Sequence, residues 1–334
     1  MRTLTLRELN RTLLARQLLL ERKRISAVKA VERLVALQAQ YAPSPYVALW
    51  SRVTAFRKEH LTRALIDGSI VKAGSLRSTL HVMAGAEFPF IVSAYIESER
   101  GRTEGLGVDL DALRAAIPDE PISAVEFFEL GHRVLETDDR WTVAFASRAL
   151  PFVRTAPLGQ WPHTEPSPFV LVRKQLPDPQ ESATRVVRQY LAAYGPASRD
   201  DITQYTSFKV RQIEPALAAL RTFVDEQGRT LYDVPRARLV AGDVPAPVRF
   251  LPAFDSIILA HRDRARILPD AYRDTVINKK NATTKNVFTV DGFVAGAWRI
   301  EKQRLVVDPF APLPARVRHE VDAEGERLLA FYLA

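Results

Sequence analysis

The sequence predicts an α+β protein in which helix-turn-helix units follow one another in tandem and a strand-rich part closes the chain. Before Arg249, apolar residues recur mostly at helical spacing, broken by short alternating stretches. From Arg249 onward the period becomes two. Proline-dense stretches at 157–168 and 177–179 mark a boundary between compact parts. With 334 residues, 47% of them apolar, the chain has material for about two to four such parts around a substantial core.

Residues 4–20 read as a helix with Leu6, Leu9, Leu13, Leu14 and Leu18 on one face. Ser26 is placed to cap a second helix reaching to about Ala39, and residues 46–52 and 59–71 follow as two more. Residues 75–82 read as a strand, Leu76, Ser78 and Leu80 alternating with Arg77, Thr79 and His81. Helices followed by a strand fit a winged helix over residues 1–83. In 84–180, helices are expected at 88–99, 110–116, 125–135 and 141–150, with 100–109 as an exposed loop. Residues 181–248 give the clearest helix-turn-helix: 183–193 ended by Gly195-Pro196, 199–205 capped by Ser198, then 209–221. Two strands, 223–225 and 230–232, flank the turn Gln227-Gly228-Arg229 as its wing. In 249–334, strands are expected at 257–260, 274–278, 287–290, 294–301 and 304–307, with Asp291-Gly292 as a two-residue hairpin turn. Residues 320–331 fit helix or strand equally.

Composition narrows the chemistry. Lysine and arginine total 47 against 39 aspartates and glutamates, a net charge of +8 that favours a polyanionic partner, nucleic acid or acidic membrane surface. The absence of cysteine excludes disulfides, thiol nucleophiles and thiolate metal sites. The six histidines, at 60, 81, 132, 163, 261 and 319, lack zinc-ligand spacing. No Gly-rich phosphate loop or GxSxG elbow is present. No metal and no cofactor is expected. The start lacks the apolar core of a secretory signal and no run is long enough to span a membrane, so the expected setting is the cytoplasm.

One stretch stands out. Val28, Val31, Leu34 and Val35 line a helix face up to Leu37; then come Gln38-Ala39-Gln40, with Pro43 and Pro45 close behind. Side chains two residues apart diverge on a helix and share a side in an extended segment. The two amides are either the solvated end of a helix or, if the helix stops before them, a pair aimed at one object.

The stretch LQAQYAPSPYVALWSR, residues 37–52, resembles the AlkZ/YcaQ family of winged-helix DNA glycosylases. Gln-apolar-Gln marks its AlkZ branch and Gln-apolar-Asp its YcaQ branch, and Gln38-Ala39-Gln40 matches the former. SLRSTLHV (75–82), LPAFDSIILAHRDRARIL (251–268) and VDGFVAGAWRIE (290–301) extend the likeness over essentially the whole chain. The resemblance implies three winged-helix-like units followed by a C-terminal β-barrel-like domain. It also implies a monomeric enzyme acting on double-stranded DNA carrying alkylated purines. Bulky adducts and interstrand crosslinks are included, as in self-resistance to a genotoxin.

On that reading Gln38 and Gln40 are catalytic. A neutral amide cannot act as a general base, but it can orient a water and hold a sugar or phosphate oxygen. Such assistance suffices when the leaving group is a cationic N7- or N3-alkylpurine, and with no lysine near the motif no lyase step is expected. DNA contacts are expected from Arg77 and His81, which equally fit a role pinning their strand. His261, Arg262 and Arg264 are expected on a strand near the pocket, or else on a charge-alternating edge. Asn278, Lys279, Lys280 and Asn281 form a basic hairpin tip that enters a groove, or a solvated loop. Trp50, Trp141, Trp161 and Trp298 read as core or interface aromatics. The alternative function is a non-catalytic winged-helix DNA-binding protein, a regulator or sequestering protein.

Overall fold

A computed structural model describes residues 1–157 and 159–334. Its first helix, Leu6–Arg16, opens on a reciprocal cap in which Thr5 Oγ1 accepts from the Glu8 amide and Glu8 Oε2 accepts from the Thr5 amide. It ends sooner than the leucine spacing predicts, because Leu18 turns to a φ of 59° and buries its side chain away from the helix face. Ser26 caps the second helix, Ala27–Arg33, as expected. That helix also stops early. Val35 has φ 69°, and the chain leaves it extended into the strand Leu37–Gln38. The prolines act one step later, where Pro45 sits in the first turn of helix Ser44–Trp50.

The strand expected over 75–82 is in fact half of a hairpin. Ile70–Ser75 and Thr79–Ala84 pair antiparallel, and Leu76–Ser78 makes the turn with Arg77 and Ser78 at φ 55° and 54°. Two consecutive positive φ values are the geometry of a tight hairpin turn, usually signalled by Asn or Gly. Neither is present, so the sequence hid it. This hairpin lies inside a five-stranded sheet ordered Leu37–Gln38, Thr79–Ala84, Ile70–Ser75, Phe152–Arg154, Phe169–Leu171. The sheet therefore draws strands from both sides of residue 84. Helices Leu110–Ala116, Ala124–Val134 and Arg140–Ala146 match their expected positions, while Phe88–Glu104 runs on through half of the expected loop.

Helices Pro179–Tyr194, Arg199–Thr206 and Val210–Leu217 and the hairpin Arg221–Asp225/Thr230–Asp233 follow the sequence reading. The short strand Thr3–Leu4 joins that hairpin in parallel, Thr3 opposite Val224. In the C-terminal part, four antiparallel strands lie in the order Arg304–Pro309, Phe293–Glu301, Val287–Val290, Arg249–Leu251. The sheet is open at both edges, so the barrel-like expectation is corrected. Asp291-Gly292 is the turn it was read to be, joining Val290 to Phe293. Residues 257–260 are not a strand: Asp255 Oδ1 accepts from the Ile257 amide and starts the short helix Ser256–Leu259. Residues 273–276 are helical too, and only Ile277–Asn278 of the expected 274–278 strand is extended. The chain closes on helix Ala315–Leu333, which packs Val321 and Leu328 on the open sheet. Among the described residues no helix is long and apolar enough to cross a membrane.

Two buried ion pairs tie distant parts together. Arg52 donates through both terminal nitrogens to Asp255, at 2.8 and 2.9 Å, with both side chains fully buried. Arg16 grips Asp233 in the same bidentate way.

Candidate active site

The strand Leu37–Gln38 lies antiparallel to Thr79–Ala84 with Gln38 opposite His81, so their side chains share a sheet face. The Ala39 amide continues the ladder by donating to the Leu80 carbonyl at 2.7 Å. The chain is thus extended through Gln38 and paired on to Ala39, with a bend at Gln40. Gln38 is buried and Gln40 is exposed.

Both amide oxygens are held by donors. Arg77 Nη2 donates to Gln38 Oε1 at 3.2 Å, and the Leu80 backbone N–H donates to Gln40 Oε1 at 3.0 Å. Neither donor can accept, which fixes the orientation of each amide: oxygen toward the hairpin, N–H₂ free. Among the described residues neither N–H₂ has a protein partner. Each oxygen keeps one lone pair.

Arg77 holds this centre together. The hairpin turn sets its backbone, and its guanidinium lies over the Tyr205 ring, 4.9 Å from the centroid, with Nη1 donating to the Tyr205 carbonyl at 3.0 Å. Nη2 also stands 3.2 Å from His81 Nε2. A guanidinium only donates, so Nε2 is the bare nitrogen and Nδ1–H donates to the Thr79 carbonyl, 3.1 Å away. Burial, reinforced by the Arg77 charge, brings the His81 pKa down to about 3 and keeps the ring neutral. The structure thus replaces the expected regular strand carrying Arg77 and His81 side by side with a turn residue and a strand residue that meet by hydrogen bonding. His81 is fully buried, enclosed by protein in this structure.

A second feature is a cluster of arginines. Burial and the charges of Arg273 and Arg77 depress the Arg264 pKa, and burial depresses that of Arg77. The Nε atoms of Arg264 and Arg273 are buried without a hydrogen-bond partner. Three cations kept close together are complementary to an anion. A cavity of about 350 Å³ opens beside Gln40 and Ser78.

The model of the family described as DNA glycosylase AlkZ-like matches residues 31–331. The chain belongs to the AlkZ-like DNA glycosylase family. A curated relative, the interstrand DNA cross-link repair glycosylase of Streptomyces sahachiroi, is 26% identical over 325 aligned residues covering 88% of each protein. The solved structure of the Streptomyces sahachiroi DNA glycosylase AlkZ superposes with a TM-score of 0.80 at 21% identity, covering 98% of this chain and 97% of that one. An AlkZ-like chain is a DNA glycosylase, and DNA is its substrate.

The other residues expected to serve this AlkZ-like chain fall into two groups. Arg262 is exposed and paired with Asp200 at 3.1 Å, and Arg264 is half-buried. Asn278, Lys279, Lys280 and Asn281 are exposed at the tip of the two-stranded hairpin Ile277–Asn278/Thr283–Thr284. His261 belongs elsewhere. It is 1% exposed, donates from Nε2 to the Tyr194 carbonyl at 3.0 Å, and has its pKa lowered to about 3 by burial and Arg266. It is enclosed by protein and not at the surface beside Arg262. The stretch 261–266 is irregular, so strand alternation does not apply: Arg266 turns inward and donates to the Pro196 carbonyl. Of the tryptophans, Trp298 is core, whereas Trp141 is 68% exposed and is not part of the core. Sequence reasoning missed Arg273 and Tyr205. For Tyr205 a signal existed in the helical pair Tyr190 and Tyr194, whose rings pack on it.

Proposed function

We propose that this AlkZ-like protein is a monofunctional, monomeric glycosylase that hydrolyses the N-glycosidic bond of cationic N7- or N3-alkylpurine adducts. Its substrates include bulky adducts and interstrand crosslinks, the lesion named for its Streptomyces relative. One observation carries the reading: residues 34–56 and 69–84, which frame Gln38, contain no aspartate or glutamate, while an arginine donates directly to Gln38. These two segments bring no anion of their own for the sugar cation and no acid for the leaving base. Alkylation supplies the second need. When the C1′–N9 bond breaks, its electron pair neutralises the charge already on the purine, and the base leaves uncharged. The phosphate of the lesion nucleotide supplies the first, held against Arg77, Arg264 and Arg273.

In this scheme Gln38 grips a sugar or phosphate oxygen through its free N–H₂, made a stronger donor by the Arg77 cation on its oxygen. Gln40 orients the water with its remaining lone pair. The water oxygen bonds to C1′ and releases its proton to solvent. Arg262 and the hairpin tip of Asn278, Lys279, Lys280 and Asn281 engage the duplex on either side of the lesion. We read residues 1–83, 84–180 and 181–248 as winged-helix units cradling the duplex with the 249–334 sheet.

A duplex with one N7-methylguanine, incubated with protein and then treated with alkali, tests this. Strand cleavage is expected, and the double substitution Gln38→Ala/Gln40→Ala should reduce it about a hundredfold or more while DNA binding persists. Tight binding without cleavage by the unaltered protein would leave only a DNA-binding module.

A further inference from the structure

The cavity beside Gln40 lies between the five-stranded sheet and the helices Ala124–Val134 and Arg140–Ala146. Its roughly 350 Å³ falls within the range of sites that enclose a small organic group, roughly 300–1,000 Å³. Phe127, Phe152 and Phe169 form one wall, packed edge-to-face at centroid separations of 4.8–5.5 Å. Two arginines complete it, and both are already committed. Arg154 lies 4.6 Å above the Phe169 ring and donates to the Ser167 carbonyl at 2.7 Å; Arg148 lies over Phe145 and reaches Glu99. The lining also carries the hydroxyls of Ser78, Thr79, Tyr95 and Ser147, so polar groups share it with rings and guanidinium groups that recognise flat apolar groups by stacking.

A purine edge needs donors and acceptors aimed at it, and the wall of Phe127, Phe152 and Phe169 presents none. An aryl substituent projecting from a purine needs none. Gln40 lines the same cavity, and its backbone follows Gln38 by two residues. A group attached to the base being cleaved there has the cavity within reach.

We propose that this cavity is a subsite for the planar, apolar substituent that a bulky alkylating agent leaves on the purine. The proposal rests on the glycosylase reading and deepens it: the cavity selects large adducts, and the Gln38–Gln40 centre cleaves both large and small ones.

The geometry offers two ways to fill the cavity from opposite walls. A Cβ added to Gly74, on strand Ile70–Ser75, would meet nothing within 4 Å, and no left-handed φ obstructs a larger residue. Ala144 lines the helical wall, away from the Gln40 anchor. Gly74→Leu and Ala144→Leu should each cut release of an N7-guanine adduct bearing a fused two-ring aryl group by about tenfold or more. Release of N7-methylguanine should stay within about twofold in both, with unchanged melting temperature. Equal loss on the two duplexes would mean that the cavity takes the base itself, and no loss on either would mean that it takes nothing; both overturn the subsite. If the unaltered protein releases neither base, the glycosylase reading falls and the subsite with it. Normal methyl release with undiminished aryl release overturns the subsite alone.

Discussion

At the scale of single residues, the decisive side chain is Arg77. A non-glycine at φ 55° carries a conformational cost of about 1 kcal/mol or more, tolerated where the surroundings hold it in place. Here they do so with contacts to Gln38, His81 and the Tyr205 carbonyl at once. Lysine keeps the charge but not the planar fork that spans three acceptors. Arg77→Lys should therefore lower the rate of base release about tenfold or more under saturating DNA, with KM nearly unchanged. An effect on KM alone would assign Arg77 to general DNA attraction. The extended backbone at Gln38 was expected from Pro43 and Pro45, but the helix already stops at Val35 and Pro45 begins the next one. The Arg77–His81 link was not legible, since period-two alternation cannot distinguish a straight strand from a hairpin whose turn lacks glycine.

Among the elements, the hairpin Ile277–Asn278/Thr283–Thr284 was legible as a polar, basic insertion between strands, though not in its short flanking helix. Lys279 is paired at the surface with Asp274 at 3.0 Å, an exposed ion pair that a phosphate can displace at little cost. Replacing Lys279 and Lys280 by alanine should weaken DNA binding and flatten the plot of log affinity against log salt by about 0.9 for each phosphate no longer neutralised. An unchanged slope would remove the hairpin from the interface. The 261–266 stretch shows where element-level reading misleads. Three arginines alternating in sequence invite a strand, but the buried Asp255 caps a helix just upstream, and the chain that follows turns too irregularly for alternation to survive.

For the molecule as a whole, most helices and the 221–233 hairpin before Arg249 were readable from local signals such as the Ser26 and Ser198 caps and the Gln227-Gly228-Arg229 turn. The sheet memberships were not, because they depend on partners far away in sequence. The Arg52–Asp255 pair is the clearest case: two charges, each unremarkable alone, lose all exposure together. Asp255→Ala should destabilise the protein by about 3–5 kcal/mol in denaturant titration by stranding the guanidinium. Arg52→Met/Asp255→Leu should recover most of that loss. If the single substitution costs no more than a surface one, the pair does not hold the C-terminal sheet in place.

The parallel pairing of Thr3 with Val224 has a consequence for how the protein is made. The strand Thr3–Leu4 cannot find its partner until about 220 more residues have been translated, on the order of 10–40 s at ordinary elongation rates. During that interval Leu4, which ends wholly buried, is left without its final neighbours. The Thr3–Leu4 strand therefore waits with an apolar side chain unpaired while the residues between it and Val224 are being assembled.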